Sequence, residues 1–349
     1  AIMRGDEAYA GSHSWQRFHE VVSDLTGYKH IIPTHQGRAS EKILSTITVK
    51  EGDIIPSNSH FDTTRANFEF AQAKPVDLLC EEGLDLLSPD PFKGNIDLSK
   101  LEALLSGEES DKVPFVLMTI TNNTGGGQPV SMDNLKKVKE LCTQYNKMFL
   151  LDACRFAENA WFVSQREEDY KDIEIRDITK EAFRLADGCT ISLKKDGFGN
   201  IGGVLALNDD TLAEAARNLL ILTEGFPTYG GLAGRDLDAL AQGLKEITDR
   251  NYLEYRARSI SYLGEKALSY GIPVVQPAGG HALYIDAKTF LPNIPPHEYP
   301  GHSVACEIYL LGGVRVVELG TLAFGVAGEN GKPDTPATHE LVRLAAPRS

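Results

Sequence analysis

Residues 113–121 read Val-Pro-Phe-Val-Leu-Met-Thr-Ile-Thr. A run this continuously apolar suits a strand covered on both faces. That points to a parallel sheet, whose crossover connections are usually helical. The neighbouring sequence keeps to that rule. The run ends in Asn122-Asn123-Thr124-Gly125-Gly126-Gly127-Gln128, and Ser131, with Asn134 three residues on, opens a helix through Tyr145. Met148 to Leu151 reads as the next strand, closed by Asp152. Helices over 154–164 and 178–185 follow, then a short strand at Cys189-Thr190-Ile191. Upstream, strands are expected at 30–33, 54–55 and 76–79, with helices at 16–25, 39–47 and 98–105. Strand, loop and helix alternate, so the fold class is α/β with a mostly parallel sheet. Beyond helical patterns at 210–222 and 236–270, strands at 272–275, 282–285 and 314–317 and a helix at 303–310 read as a smaller α/β domain. The expected division is 1–248 and 249–349.

Composition excludes several classes of function. The net charge is 35 − 49 = −14, which argues against nucleic acid and anionic membrane surfaces as partners. No run of eighteen apolar residues occurs, so no transmembrane helix is expected, and no signal peptide is visible. The five cysteines, Cys80, Cys142, Cys154, Cys189 and Cys306, lack CxxC spacing. They read as free thiols in a reducing cytoplasm, with no zinc site.

Ligands of parallel α/β sheets sit at the carboxyl ends of the strands. Four unusual loops follow apolar strands here. In Thr34-His35-Gln36-Gly37-Arg38, Gly37 allows close backbone approach, Arg38 offers a forked cation, and the following helix N-terminus favours a phosphate. Ser192 can add a hydroxyl to the same anion. The competing reading is an ordinary strand-to-helix turn. Asp152 ends an apolar strand, where an unpaired carboxylate is costly. It suits a buried cationic partner, such as the pyridine nitrogen of pyridoxal phosphate, or else caps a helix starting at Ala153. Asn123 and Arg155 can donate to a phenolate-like oxygen, or serve as a turn residue and a surface arginine. Ser192-Leu193-Lys194-Lys195-Asp196 sets two lysines at the mouth of a strand. Mutual repulsion and partial burial lower an amine pKa and make it nucleophilic, whereas two solvated lysines do no chemistry.

These residues belong to a longer series. Gly5-Asp6-Glu7-Ala8-Tyr9, Pro33 to Arg38, Gly126-Gly127-Gln128-Pro129-Val130-Ser131, Glu158-Asn159-Ala160, Lys194-Lys195-Asp196 and Glu224 to Leu232 occur in this order. The chain resembles, over essentially its whole length, the β-eliminating lyases that act on tryptophan or tyrosine. The resemblance implies a fold-type I pyridoxal 5'-phosphate enzyme, like the aspartate aminotransferases, assembled as a homotetramer that shares active sites between subunits. By motif, Lys195 is similar to the Schiff-base lysine, and Gln36, Gly37, Arg38 and Ser192 to the phosphate-binding set. Phe61 matches the aromatic that stacks on the cofactor ring, and Asp152 the pyridine-nitrogen partner. Asn123 and Arg155 match the groups at the ring oxygen, and Tyr9 the general acid. Glu7 and Asn200 resemble part of a potassium site. Arg343 matches the clamp on the substrate carboxylate. Family members extend further at both ends, so a trimmed small domain is expected.

Two positions bear on the substrate. Asp62 follows Phe61 where tyrosine phenol-lyases have threonine, and a carboxylate suits the indole N–H, which only donates. Leu319 stands where the phenol-lyases carry an arginine for the phenol oxygen. Both favour tryptophan. Asp62 as a loop carboxylate and Leu319 as core are the plainer readings, and Gly231 to Asp236 stays closer to the phenol-lyases.

Overall fold

The computed structural model of the chain describes residues 2–6, 11–328 and 333–348. It contains two compact units. The first comprises Ala1–Glu81, Phe92–Asn122 and Pro129–Leu253, and the second Glu82–Pro91, Asn123–Gln128 and Glu254–Ser349. Two short segments from the first half of the sequence thus belong to the second unit.

The first unit is built on seven strands: β1 (His30–Thr34), β2 (Ile54–Ser57), β3 (Lys74–Asp77), β4 (Phe115–Thr119), β5 (Met148–Asp152), β6 (Gly188–Ser192) and β7 (Gly203–Leu207). Their order is β1-β7-β6-β5-β4-β2-β3. The pairs from β3 to β6 are parallel, and β7 runs antiparallel to both β6 and β1. Strands β4 and β6 are buried at every position, as a parallel strand covered on both faces must be. On one face Ile32, Ile55, Phe115, Leu117, Leu150 and Leu205 pack against Ile43 and Leu44 of the helix α2 (Gly37–Thr48). Each such side chain contributes roughly 1.5–3 kcal/mol by leaving water.

Helix ends follow their capping residues. Ser12 caps α1 (His13–Thr26), and Ser131 caps the helix Met132–Gln144 by accepting from Asn134 N. The pattern over 236–270 resolves into two helices, Gly234–Glu246 and Arg250–Ser269. Apolar spacing runs on across the break. Asp249 ends the continuity, because its carboxylate accepts from Tyr252 N at 2.8 Å and starts a new helix.

The second unit holds a three-stranded antiparallel sheet of β8 (Ala282–Asp286) and β9 (Val317–Leu319) flanking a central strand, Leu341–Ala345. A small hairpin pairs Val326–Ala327 with Pro333–Thr335. Val274, Leu283, Ile285, Val304 and Val342 form one core cluster, with Val304 on the helix Pro300–Gly312. Three expectations shift here. Residues 272–275 form only an isolated bridge, Val274 to Ile285, the strand expected at 314–317 lies at 317–319, and Leu341–Ala345 had no signal in the sequence reading.

Candidate active site

Strands β1 and β6 both oppose β7, so they share a direction, and β5, β4 and β2 run parallel to β6. The carboxyl ends of β1, β4, β5 and β6 therefore open on one edge. Register brings their last residues together: Thr34 and Ser192 both lie opposite Gly203, and Asp152 lies between Thr119 and Thr190.

The phosphate-type loop is assembled at that edge. A Cβ on Gly37 would stand 2.5 Å from Cβ of Ser192, so only glycine lets the start of α2 meet Ser192. Gln36 occupies the N-cap position without a capping side-chain bond. The helix thus presents first-turn N–H groups that no side chain of its own cap satisfies. Arg38 is exposed and lines a groove of about 540 Å³ with His35, Gln36, Lys42, Phe70 and Glu224.

The two lysines have different surroundings. Lys194 is exposed and Lys195 half-buried, with its Nζ 5.5 Å from the centre of the Phe61 ring. Asp196 is fully buried and accepts from Ala157 N at 2.8 Å, which ties the lysine loop to the helix Phe156–Arg166. Phe61 is anchored from behind. The buried His60 ring bonds Asp77 through Nδ1 at 2.7 Å, and its backbone N–H donates to the same carboxylate.

Asp152 is 1% exposed. Cys154 Sγ donates to its Oδ1 at 2.8 Å, whereas Oδ2 is buried without a hydrogen-bond partner. Asp152 is not a helix cap, since the helix begins at Phe156 and Arg155 holds the N-cap position. Arg155 is buried as well. Its Nη1 donates to Thr121 O at 3.3 Å, and its Nε is left without a partner. Asp62 is exposed at the start of α3 (Asp62–Phe70), its Oδ1 accepting from Thr63 N at 2.5 Å.

Two residues near this edge were not among the expected site residues. Cys154 is one. Glu41 is the other: it is buried on α2, its Oε2 accepts from Thr63 Oγ1 at 2.7 Å, and burial, with the charge of Asp152, pushes its carboxyl up to about 7. A signal for Glu41 was present, because Gly37, Glu41, Leu44 and Ser45 share one face of α2, and that face is buried.

Within the second unit, Asn123 is the centre of a polar cluster. Its Oδ1 accepts from Arg343 Nη1 at 2.7 Å and from Tyr284 Oη at 3.0 Å, and His281 Nε2 lies 3.0 Å away. Arg343 and Tyr284 are direct cross-strand neighbours. Leu319 packs with Tyr284 and Leu341 in an apolar cluster. Asn200 is exposed in the loop before β7. Glu7 and Tyr9 lie outside the described residues.

Comparison with known proteins places this geometry. The family model for β-eliminating lyases matches residues 1–349. The chain is 56% identical over 351 residues to a tryptophanase of Hyphomonas neptunium, covering 100% of this chain and 76% of that one. It is 47% identical over 347 residues to a tyrosine phenol-lyase of Pasteurella multocida, covering 99% and 76%. Among solved structures, a serine palmitoyltransferase from S. paucimobilis bearing a PLP–myriocin aldimine superposes with a TM-score of 0.63 at 14% identity, covering 99% of this chain and 75% of that one. That likeness shows a shared fold, the fold-type I architecture. The chain belongs to the β-eliminating lyase family.

Proposed function

We propose that the chain catalyses pyridoxal 5'-phosphate-dependent β-elimination of L-tryptophan to indole, pyruvate and ammonia. The observation that carries the choice of substrate is the higher identity to tryptophanases, 56% against 47% for the phenol-lyase. Asp62 and Leu319 point the same way. Tyrosine is the second reading, supported by the phenol-lyase likeness itself and by Gly231 to Asp236.

The residues present fit the cofactor. Asp152 Oδ2 is a buried acceptor without a partner, which suits a pyridine N–H. The contact of Gly37 with Ser192, beside Arg38 and Gln36, suits a phosphate. Phe61 lies beside the Lys195 amine and suits a stacked ring, and Arg155, buried with its Nε unpartnered, suits the ring oxygen, a role the resemblance also gives to Asn123. When bound, the cofactor supplies an electron sink for negative charge at the substrate Cα.

In this reading Arg343 grips the substrate carboxylate with two parallel N–H donors. Lys195 Nζ removes the Cα proton. Indole leaves poorly as a carbanion, so C3 is protonated first, by Tyr9, while Asp62 accepts from the ring N–H. Glu7 and Asn200 are assigned to a potassium ion, and the assembly to a homotetramer with shared sites. A cytoplasmic location fits the acidic surface and the free cysteines. No described helix is long and apolar enough to cross a membrane. Product analysis with tryptophan, tyrosine and S-alkyl cysteine tests the proposal. Indole and pyruvate in equal amounts are expected from tryptophan, and phenol from tyrosine in preference to indole would overturn the choice.

A further inference from the structure

Glu224 stands just past the helix Asp210–Thr223, where the carbonyl end of a helix repels a carboxylate. Its side chain is only 9% exposed, so the charge needs a partner. That partner is His35, the residue after β1. Oε2 of Glu224 accepts from His35 N at 3.1 Å and bonds the ring through Nδ1. Gly231 lets the two segments meet. It sits at φ +78°, and a Cβ there would stand 3.0 Å from Glu224 O and 3.5 Å from His35 Cβ.

The bond to Glu224 fixes the state of the ring. A carboxylate only accepts, so Nδ1 carries the hydrogen, and Nε2 of the neutral ring is left as an acceptor. The Gln36 amide meets that demand with its NH₂ group, whose nitrogen lies 2.8 Å from His35 Nε2. The amide is thereby drawn away from the helix it precedes: Gln36 is the N-cap of α2, yet its side chain makes no capping bond. The second side-chain N–H of Gln36 remains to be donated to an anion, and the first-turn N–H groups of α2 are not covered by that side chain.

We propose that Glu224 and His35 are positioning residues of the phosphate site, a relay in which the carboxylate sets the tautomer of the ring and the ring sets the orientation of the Gln36 amide. The proposal rests on the reading of Gln36 as a phosphate ligand. Each member acts through the next, as outer partners orient the ligands of a metal. The backbone of the loop is held independently, because Gly202 N donates to His35 O at 2.6 Å and Gln36 forms a bridge with Gly202. Loss of the Glu224 carboxylate should therefore disturb the amide and spare the path of the chain.

Titrating the cofactor-free protein with pyridoxal 5'-phosphate and with pyridoxal, through the visible band of the lysine-linked cofactor, separates the share of the phosphate from that of the ring. Glu224→Ala should weaken the phosphorylated form roughly three- to tenfold, the net worth of one hydrogen bond, and leave pyridoxal unchanged. Glu224→Gln, whose amide oxygen still accepts from both N–H groups of His35, should recover most of that loss. In a Gln36→Ala background Glu224→Ala should add nothing, because the relay has lost its last member. An unchanged affinity in Glu224→Ala, an equal loss of both forms, or an additive loss in the double variant overturns the relay. The cofactor reading fails separately, in the wild type: a protein that shows no visible band, or binds both forms equally, has no phosphate site for the relay to serve, and the proposal falls with it.

Discussion

The strand-edge site of the first unit and the Asn123 cluster of the second treat their buried acceptors in opposite ways. At the strand edge an acceptor is left open: Asp152 Oδ2 is buried without a partner. In the second unit donors converge on one acceptor, although Arg343 Nε, like Arg155 Nε, is buried without a partner. Arg343, Tyr284 and His281 all reach one oxygen of Asn123. An amide oxygen has two lone pairs, so three neighbours exceed its capacity, and one can be withdrawn without leaving it bare. Open capacity is expensive in a folded chain and is kept where a ligand repays it. Oversubscribed capacity costs little and keeps a donor in reserve. Groups of the first kind should therefore be intolerant of substitution, and those of the second kind forgiving.

That contrast yields graded expectations. Lys195→Ala should have the largest effect, removing the visible band of lysine-linked cofactor and lowering Cα proton exchange roughly 10²–10⁴-fold, as expected for loss of a positioned base. Exposed Lys194→Ala should keep the band. Absorption spectra and hydrogen exchange at the substrate Cα check both, and a band retained in Lys195→Ala would reverse the assignment of the two lysines.

Asp152→Asn comes next. It should still bind cofactor through the Gly37–Ser192 contact, yet lose on the order of a hundredfold in kcat, the lower end of the range for a lost proton-holding group. Near-normal turnover would show that the open Oδ2 serves no ligand.

Asp62→Ala should cost at least about tenfold on tryptophan, since an unmatched buried donor is worth roughly 1–3 kcal/mol and each 1.4 kcal/mol is about tenfold. S-alkyl cysteines, whose thiolate leaves without help from a ring, should be spared. Equal losses on both substrates in steady-state assays would move Asp62 from the indole to the cofactor or the fold.

Tyr284→Phe should be the mildest change. Asn123 Oδ1 keeps Arg343, but the Tyr284 hydroxyl also lies 2.9 Å from His281 Nε2, so thermal unfolding should register about 1–3 kcal/mol, the worth of at most two ordinary hydrogen bonds. A larger loss would mean that the cluster has no spare donor and that the contrast between the two regions fails.

The legible part of the site was the part carried by strand ends. Asp152, Ser192 and the 34–38 loop each stand where an apolar run stops, and a parallel sheet collects such ends on one edge. Glu41 and Cys154 were not read, because each sits inside or beside a helix where one polar residue usually faces water. His281 and Tyr284 were missed for a related reason. Their partner, Asn123, is more than 150 residues away in sequence, and the strand Leu341–Ala345 that aligns Arg343 with Tyr284 gave no signal.

By itself, the order of residues determined most element types of the first unit, the mostly parallel sheet, the loops that hold the polar groups and the family resemblance. Short-range rules suffice for these, since periodicity, caps and strand-ending residues act within a few positions. Only the tertiary structure decided which of two adjacent lysines is half-buried, which oxygen of Asp152 stays open, and that Glu41 is buried against Thr63. Burial and long-range pairing set those outcomes, and neither is a property of any local stretch of chain.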